Sequence, residues 1–544
     1  MLHSVLVVGA GPTGLAMAAE LARHGVQCRV IDKARAPSDR SRAIVIQART
    51  LELLSLMQLA DEFVMAGHPV HAANIYSNGK RIVHLRFDDL DSPYPYLLVL
   101  AQSQTERILG DRLRQLGVVV ERGVELLSLS QDAEKATVEL RHADGHTERE
   151  RVDWIVGCDG PHSTVRRALD VPFEGHAFDQ VFILADVQVH SELSDEELHI
   201  YSQHGDVCAI FPLGRGRYRI VADNPPASLA GQDPSLEECQ AMVNERMSEP
   251  VTLSDPEWIS TFHVNSRMVK ELRSRRVFLA GDAAHIHSPA GGQGMNTGIQ
   301  DAVNLAWKLA LVCSGRSDPS LLDSYQSERY PVERSVLRQT DMMFRLAGAS
   351  GGIGAFARQY IAPLLGSLDF VRHEAARHVS EIAIEYEHSP IVEDHYVPHG
   401  PHAGDRAPDA VARLAPDGAT VHVVDVCSRP QHTLLMIVDA ADHVAVADNV
   451  SRKIVALYGD VITPVMVSDA MTPRDRANAS SITPARTREP RSLRDEYGPA
   501  RPTMYLVRPD GYVGFRAPLT TSADALMQYL ARLMPHKPTT ALAI

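Results

Sequence analysis

The chain has 544 residues, a formal net charge of -14, and six scattered cysteines at Cys28, Cys158, Cys208, Cys239, Cys313 and Cys427. That length exceeds a single hydrophobic core and predicts two or three domains, while the acidic balance argues against nucleic acid as a partner. No apolar run reaches the ~18 residues needed to span a bilayer, no basic leader precedes the first apolar run, and no CxxC or zinc spacing occurs. The expectation is a reduced, cytoplasmic protein with neither a membrane span nor a metal centre.

In chain order, Val5–Val8 reads as a buried strand followed by Gly9-Ala10-Gly11-Pro12-Thr13-Gly14 and an alanine-rich helix over Leu15–His24. A second strand, Cys28–Ile31, ends at Asp32, 18 residues after Gly14, with Lys33 beside it. Strand, GxGxxG, helix, strand and acid form a dinucleotide-binding unit, in which the glycines admit the pyrophosphate and Asp32 binds a ribose hydroxyl pair. An acid at that place suits FAD or NAD, whose ribose lacks a 2′-phosphate.

Ala101–Leu116 reads as a helix. Trp154–Gly157 reads as a strand leading into Cys158-Asp159-Gly160-Pro161-His162-Ser163-Thr164-Val165-Arg166. Residues 177–270 are strand-rich, with FILADVQV, ELHIYSQ, VCAIFPL and YRIVA in alternating or apolar patterns. A third motif starts with the apolar run Val277–Ala280 and Gly281-Asp282, continues through Gly291-Gly292-Gln293-Gly294, and enters a long helix from about Asn296. Helical pattern then runs to about Tyr386, and a Pro/His/Gly-rich connector occupies Pro398–Gly404. The tail reads as a separate α/β unit with strands at Val421–Val426, Leu434–Val438, Val465–Val467 and Met504–Val507, a turn at Arg508–Gly511, and a helix at Ala523–Leu533.

Taken in order, GAGPTG, CDGPHSTVR and GDAAHIHSPAGGQGMNTG resemble the three motifs of the single-component flavoprotein aromatic hydroxylases, the para-hydroxybenzoate hydroxylase-like family. The tail resembles the thioredoxin-like C-terminal domain of the phenol and aromatic-polyketide hydroxylase branch. The resemblance implies an α/β fold: a Rossmann-like FAD-binding domain of glutathione-reductase type with an inserted mixed β-sheet substrate domain and the thioredoxin-like unit. Residues 1–176 would form the first FAD-binding part, with an excursion to the substrate sheet near 76–98. Residues 177–270 would form the substrate sheet, 271–395 the return to the FAD domain, and 396–544 the C-terminal domain. Only Cys427 lies near the first strand of that domain, so it is expected to be redox-inactive, because disulfide exchange needs a resolving thiol.

The resemblance also assigns roles. Gly9, Gly11, Pro12, Thr13 and Gly14 would cradle the FAD pyrophosphate, with Asp32 and Lys33 at the adenosine ribose. Arg42 would reach over the cofactor, Gln102 would contact the ribityl or phosphate region, and Asp159, with Arg166 in support, would serve FAD and the nicotinamide. Gly281 and Asp282 would hold the ribityl chain, Pro289 would pack at the reactive edge of the isoalloxazine, and Gly292, Gly294, Met295 and Asn296 would line its pyrimidine end. Helix-start amides there suit the negative charge of reduced flavin. His285 and His287 lack further ligands nearby, so the flavin motif explains them better than a metal does.

The implied reaction is NADPH- or NADH-dependent hydroxylation of a phenolic or polyketide ring by O2, through a C4a-hydroperoxide of non-covalently bound FAD. Tyr201 and His204, on or beside the strand Leu198–Gln203, are candidates for deprotonating the substrate; each residue type also occurs as ordinary sheet packing or surface. No second dinucleotide fingerprint is present, since the cluster Gly348, Gly351, Gly352 and Gly354 lacks a strand before it and an acid after it. A homodimer is expected. Two other readings stay open on the sequence: an FAD epoxidase or oxidase of a non-aromatic substrate, and a flavin-binding scaffold without turnover.

Overall fold

The computed structural model describes residues 4–38, 43–203, 206–225, 233–288, 291–348, 369–415, 418–438, 440–468, 491–498 and 502–535. A six-stranded sheet runs in the order Arg273–Ser274, Val277–Leu279, Trp154–Gly157, Val5–Val8, Cys28–Asp32, Val120–Arg122. Its pairings are parallel except the first. Val5–Val8 and Trp154–Gly157 are buried throughout, which is why they read as unbroken apolar runs rather than alternating ones. The first helix spans Pro12–Arg23, starting earlier than expected, because extended Gly11 caps it and Pro12 suits its first turn. It packs on the long helix Gly294–Cys313. Gly298 makes that approach possible: a Cβ there would collide with the Thr13 hydroxyl.

An eight-stranded sheet runs in the order His285–Ile286, Thr252–Met268, Glu174–His190, Arg217–Asp223, Asp206–Gly214, Glu197–Gln203, Ala72–Ser77, Lys80–Arg86. The excursion expected near 76–98 thus begins at Ala72, and Leu97–Val99 belongs to a separate three-stranded sheet. One face of the large sheet, with Ile183, Ala185, Tyr201, Cys208 and Ile220, is sealed by Cys239, Met242 and Val243 of the helix Leu236–Arg246. A reciprocal capping box between Ser235 and Glu238 starts that helix. The opposite face, with Leu198, Ile200, Phe211 and Leu213, packs toward Val45, Val70, Leu97 and Ala376.

A seven-stranded mixed sheet forms the C-terminal unit, centred on His432–Ile437 between Ile462–Ser468 and Thr503–Val507. The strand expected over Val421–Val426 ends at His422, and Val423–Val426 is a short helix. Asp409 causes the change of direction, accepting from the Val424 N–H at 3.1 Å and meeting His422 Nδ1 at 2.9 Å. The strand reading also passed over the helix Ala441–Tyr458, whose Ala447, Val450, Ile454 and Tyr458 lie at helical spacing on its buried side. Helix Ala523–Leu533 stands where it was expected. No helix among the described residues is long and apolar enough to cross a membrane.

Candidate active site

At the turn between the first strand and first helix, the three glycines serve different ends. Gly9 has φ +103°, and a Cβ there would meet the Cys158 carbonyl closer than 3.0 Å. A Cβ on Gly14 would strike the Gly9 carbonyl. Gly11 is the reverse case: among the described residues nothing lies within 4 Å of where its Cβ would be. The protein's own packing therefore demands Gly9 and Gly14, while Gly11 faces a space that a bound pyrophosphate would use. Asp32 ends the second strand, where Oδ2 accepts from Ala10 N–H and Oδ1 from Ala34 N–H, both at 2.7 Å. Arg122, which the sequence reading did not single out, stands 3.4 Å from the same carboxylate, and Lys33 is exposed. These residues fit the adenosine end of FAD.

Asp159 accepts from Ser163 Oγ at 2.5 Å and from the Thr164 and Val165 N–H groups at 2.6 and 3.2 Å. Its carboxylate holds the start of the short helix Thr164–Ala168, with Ser163 as the N-cap. Arg166 is buried rather than spread on the helix surface. It donates to the Ala283 carbonyl at 2.8 Å and to the Pro161 carbonyl at 2.7 Å, and covers the Phe173 ring at 3.8 Å. Burial lowers its pKa, opposed by the charge of Asp159. Arg166 thus ties the second motif to the third.

In the third motif, Gly281 adopts φ +58°, a Cβ there would strike the Thr13 side chain, and its N–H donates to Asp301 Oδ2 at 3.0 Å. Asp282, next in the 3-10 turn Gly281–Ala283, is exposed. Asn296 locks the glycine loop: its Nδ2 donates to the Val45 and Gly292 carbonyls at 2.9 and 2.8 Å, and its Oδ1 accepts from Gln47 N–H at 2.9 Å. Gln47, another residue not foreseen, donates through Nε2 to the Gly291 carbonyl at 2.8 Å. Gly292 has φ +63° and lies against Val45, Gly294 approaches the His287 ring, and Met295 is buried. Gln102 exchanges hydrogen bonds with Ala43: its N–H donates to the Ala43 carbonyl at 3.0 Å, and its Oε1 accepts the Ala43 N–H at 3.2 Å. Arg42, His204 and Pro289 lie outside the described residues, as does most of the glycine cluster after Gly348.

Tyr201 is not on the face turned toward these loops. It is buried among the residues that Leu236–Arg246 covers, stacked on Tyr76 at 4.6 Å, and its hydroxyl has no hydrogen-bond partner among the described residues. Burial, with Glu249 nearby, pushes its phenol upward. The neighbours Leu198 and Ile200 point to the other face, the one that meets Val45. This placement does not support a proton-transfer role for Tyr201. The buried groups Asp301, Arg329 and Glu333 beneath the third motif were unanticipated, and two of them, Asp301 and Glu333, stand 2.7 and 3.7 Å from His285, for which the sequence showed no further ligand nearby. Their only signal was polar residues recurring at helical spacing (Asn296, Gln300, Asn304, Lys308) in a helix buried from Met295 to Leu311.

Residues 3–340 match the family described as FAD binding domain, and residues 400–536 the one described as aromatic-ring hydroxylase, C-terminal. The chain is 38% identical over 396 residues to 6-methylpretetramide 4-monooxygenase of Streptomyces rimosus, covering 71% of this chain and 70% of that protein. It is 32% identical to pentachlorophenol 4-monooxygenase of Sphingobium chlorophenolicum, covering 98% and 96%. Among solved structures, anhydrotetracycline hydroxylase from Streptomyces rimosus superposes with a TM-score of 0.78 at 30% identity, covering 99% of this chain and 100% of that one. With a cofactor cradle that fits FAD and matches over both of its parts, the chain belongs to the FAD-dependent aromatic-ring hydroxylases, monooxygenases that use NAD(P)H and O2 on an aromatic substrate.

Proposed function

We propose that the substrate is a phenolic or polycyclic polyketide ring, received between the glycine loop and the less tightly packed face of the eight-stranded sheet. The observation that carries this reading is the asymmetry of that sheet. One face is sealed by a helix, while Ile200, Phe211, Leu213, Val221 and Phe262 on the other are only half-buried. Strand alternation puts Val221 and Phe262 on the side opposite Ile220 and Ile183, and Phe262 stacks on Phe182 at 5.5 Å. An apolar surface of this kind suits an aromatic ring and excludes water from it. The bidentate Asp186–Arg219 pair, at 2.7 and 2.6 Å, crosses the same face beside Phe211.

When bound, FAD supplies the activation of dioxygen at the expense of reduced nicotinamide. Gly9, Gly11, Pro12, Thr13 and Gly14 bind its pyrophosphate, Asp32 and Lys33 its adenosine end, and Gly281, Asp282, Gly292, Gly294, Met295 and Asn296 its ribityl and ring end. Gln102, Asp159 and Arg166 position those loops, and Arg42 and Pro289 keep the roles the family resemblance implies. The protein works in the cytoplasm as a homodimer, and its thioredoxin-like C-terminal domain carries no redox function. In that domain Cys427 is buried and its thiol is pushed up to about 12.

A panel of simple phenols and polycyclic phenolic polyketides tests the substrate reading. Reduced-nicotinamide oxidation, peroxide release and incorporation of labelled dioxygen are followed together. A true substrate couples oxidation to labelled product. Oxidation that yields only peroxide with every aromatic tested would refute the proposal.

A further inference from the structure

Beneath the Gly281–Asp282 turn lies a sealed cluster that the hydroxylation reading does not use. Asp301, on the long helix, receives Gly281 N–H at 3.0 Å and His285 Nε2 at 2.7 Å on one oxygen, and Arg329 Nε at 2.7 Å on the other. Because an ionised carboxylate only accepts, His285 must carry its proton on Nε2. Arg329 continues to the Thr297 carbonyl at 3.2 Å and the Tyr386 hydroxyl at 3.0 Å. Glu333, one turn beyond Arg329, stands 3.7 Å from His285 Nε2. Neither of its carboxyl oxygens has a hydrogen-bond partner among the described residues, and its side chain is 0% exposed. A carboxylate so enclosed, with no hydrogen bond and only His285 at 3.7 Å to offset its charge, is disfavoured, whereas the neutral acid becomes a donor toward Asp301.

We propose that Glu333 and His285 form a proton-holding unit under the flavin-binding turn, whose charge is coupled to the charge of the FAD which that turn holds. Glu333 is here a positioning residue, acting through His285 and Asp301. The groups facing the unit are Asp301 from the long helix, Arg329 and Tyr325 from its own helix, Asp282 and His287 from the third motif, and Glu381, a second enclosed acid near Arg329 and Asp301 that burial also raises to about 8. Burial raises Glu333 to about 8 against the pull of His285. For His285, burial lowers the pKa, but Glu333 and Asp301 outweigh it and bring the ring to about 9. Near pH 7 the unit is therefore fully protonated, and Arg329 and His285 exceed Asp301 by one positive charge. Above pH 8 that surplus is lost.

Hydride transfer from NAD(P)H brings two electrons and one proton and leaves bound FAD one charge more negative. In the alkaline range the unit then takes up from water the one proton it had lost, and no other bond changes. The test is the midpoint potential of FAD in the purified holoenzyme from pH 6 to 10, read by spectroelectrochemistry. Wild type is expected to show a pH dependence beyond that of free FAD, with an inflection near 8. Glu333→Gln, which keeps the shape and cannot ionise, is expected to retain FAD and lose the inflection. A wild-type potential that tracks free FAD over the whole range overturns the proposal without any variant, and so does an inflection that survives in E333Q. Bound FAD, counted by absorbance, separates this outcome from a failure of cofactor binding.

Discussion

Arg508 is expected to be the most costly single charge to remove from this protein. It lies in the turn after the strand Thr503–Val507 and enters the FAD part of the molecule, where it donates to Glu328 Oε1 at 2.6 Å and Oε2 at 3.0 Å, and to Asp510 at 2.9 and 2.5 Å. Lys308 and Asn304 also meet Glu328 at 2.7 Å, and Trp307 Nε1 meets Asp510 at 3.1 Å. Arg508, Lys308 and Glu328 have side-chain exposures of 0%, and Asp510 of 2%. The four charges sum to zero. Arg508→Met preserves the stem's bulk and leaves one net negative charge enclosed, for which about 3–5 kcal/mol is the expected loss. At 1.36 kcal/mol per decade that is a factor of about 10² to 10⁴ in the unfolding equilibrium.

The exposed pair Lys270–Glu174, at 70% and 52% side-chain exposure, supplies the control, since solvent screens such a pair and leaves it little weight in stability. Urea unfolding followed by tryptophan fluorescence suits the measurement, because Trp307 sits inside the affected cluster. If Arg508→Met shifts the transition no further than Lys270→Met, the claim that this network holds the two parts together is wrong. Adding Asp510→Asn to Arg508→Met restores neutrality and is expected to recover part of the loss, giving a coupling that a simple packing defect would not produce.

Four further outcomes follow from the geometry. Gly11→Ala is expected to fold normally and bind FAD at least tenfold more weakly in equilibrium dialysis, whereas Gly14→Ala damages the fold itself, because only the second Cβ meets protein atoms. Asp282→Ala should lose its yellow colour on gel filtration; full retention with wild-type turnover would mean that this exposed carboxylate does not hold the cofactor. Tyr201→Phe should hydroxylate at the wild-type rate and be unchanged in stability or higher by roughly 1 kcal/mol, since it removes a buried hydroxyl that has no hydrogen-bond partner among the described residues. Burial holds His24 down to about 4 and His432 to about 3, so the unfolded chain, near 6.5, takes up protons first as the pH falls. Their contribution is full above about 6.5 and is lost from there down through 4 and 3, so the urea midpoint should fall less between pH 7 and 4.5 in His432→Phe than in wild type.

What could be read from the chain alone tracks how local each interaction is. The cofactor turn was legible because strand, glycines and Asp32 are near neighbours, and Asp159 capping Thr164 closes over five residues. The face on which Tyr201 lies was not legible for a physical reason. Alternation correctly divides Tyr201 from Ile200, but both faces of that sheet are largely apolar, so no polarity cue told which one meets the flavin loops. Asn296 was assigned to the flavin, and its side chain proves to spend three hydrogen bonds on Val45, Gly292 and Gln47, the last 249 residues away. The buried charges were the least visible of all. Asp, Glu, Lys and Arg are exposed by default, and only a partner's position reverses that expectation. Arg508 read as one corner of a turn because Glu328 lies 180 residues before it, and Asp301 drew no notice because Arg329 and His285 reach it from other elements. A buried ion pair closes at long range only after the fold has formed around it, so in this family the motif loops can be read from the chain, whereas the charges that support them need the structure.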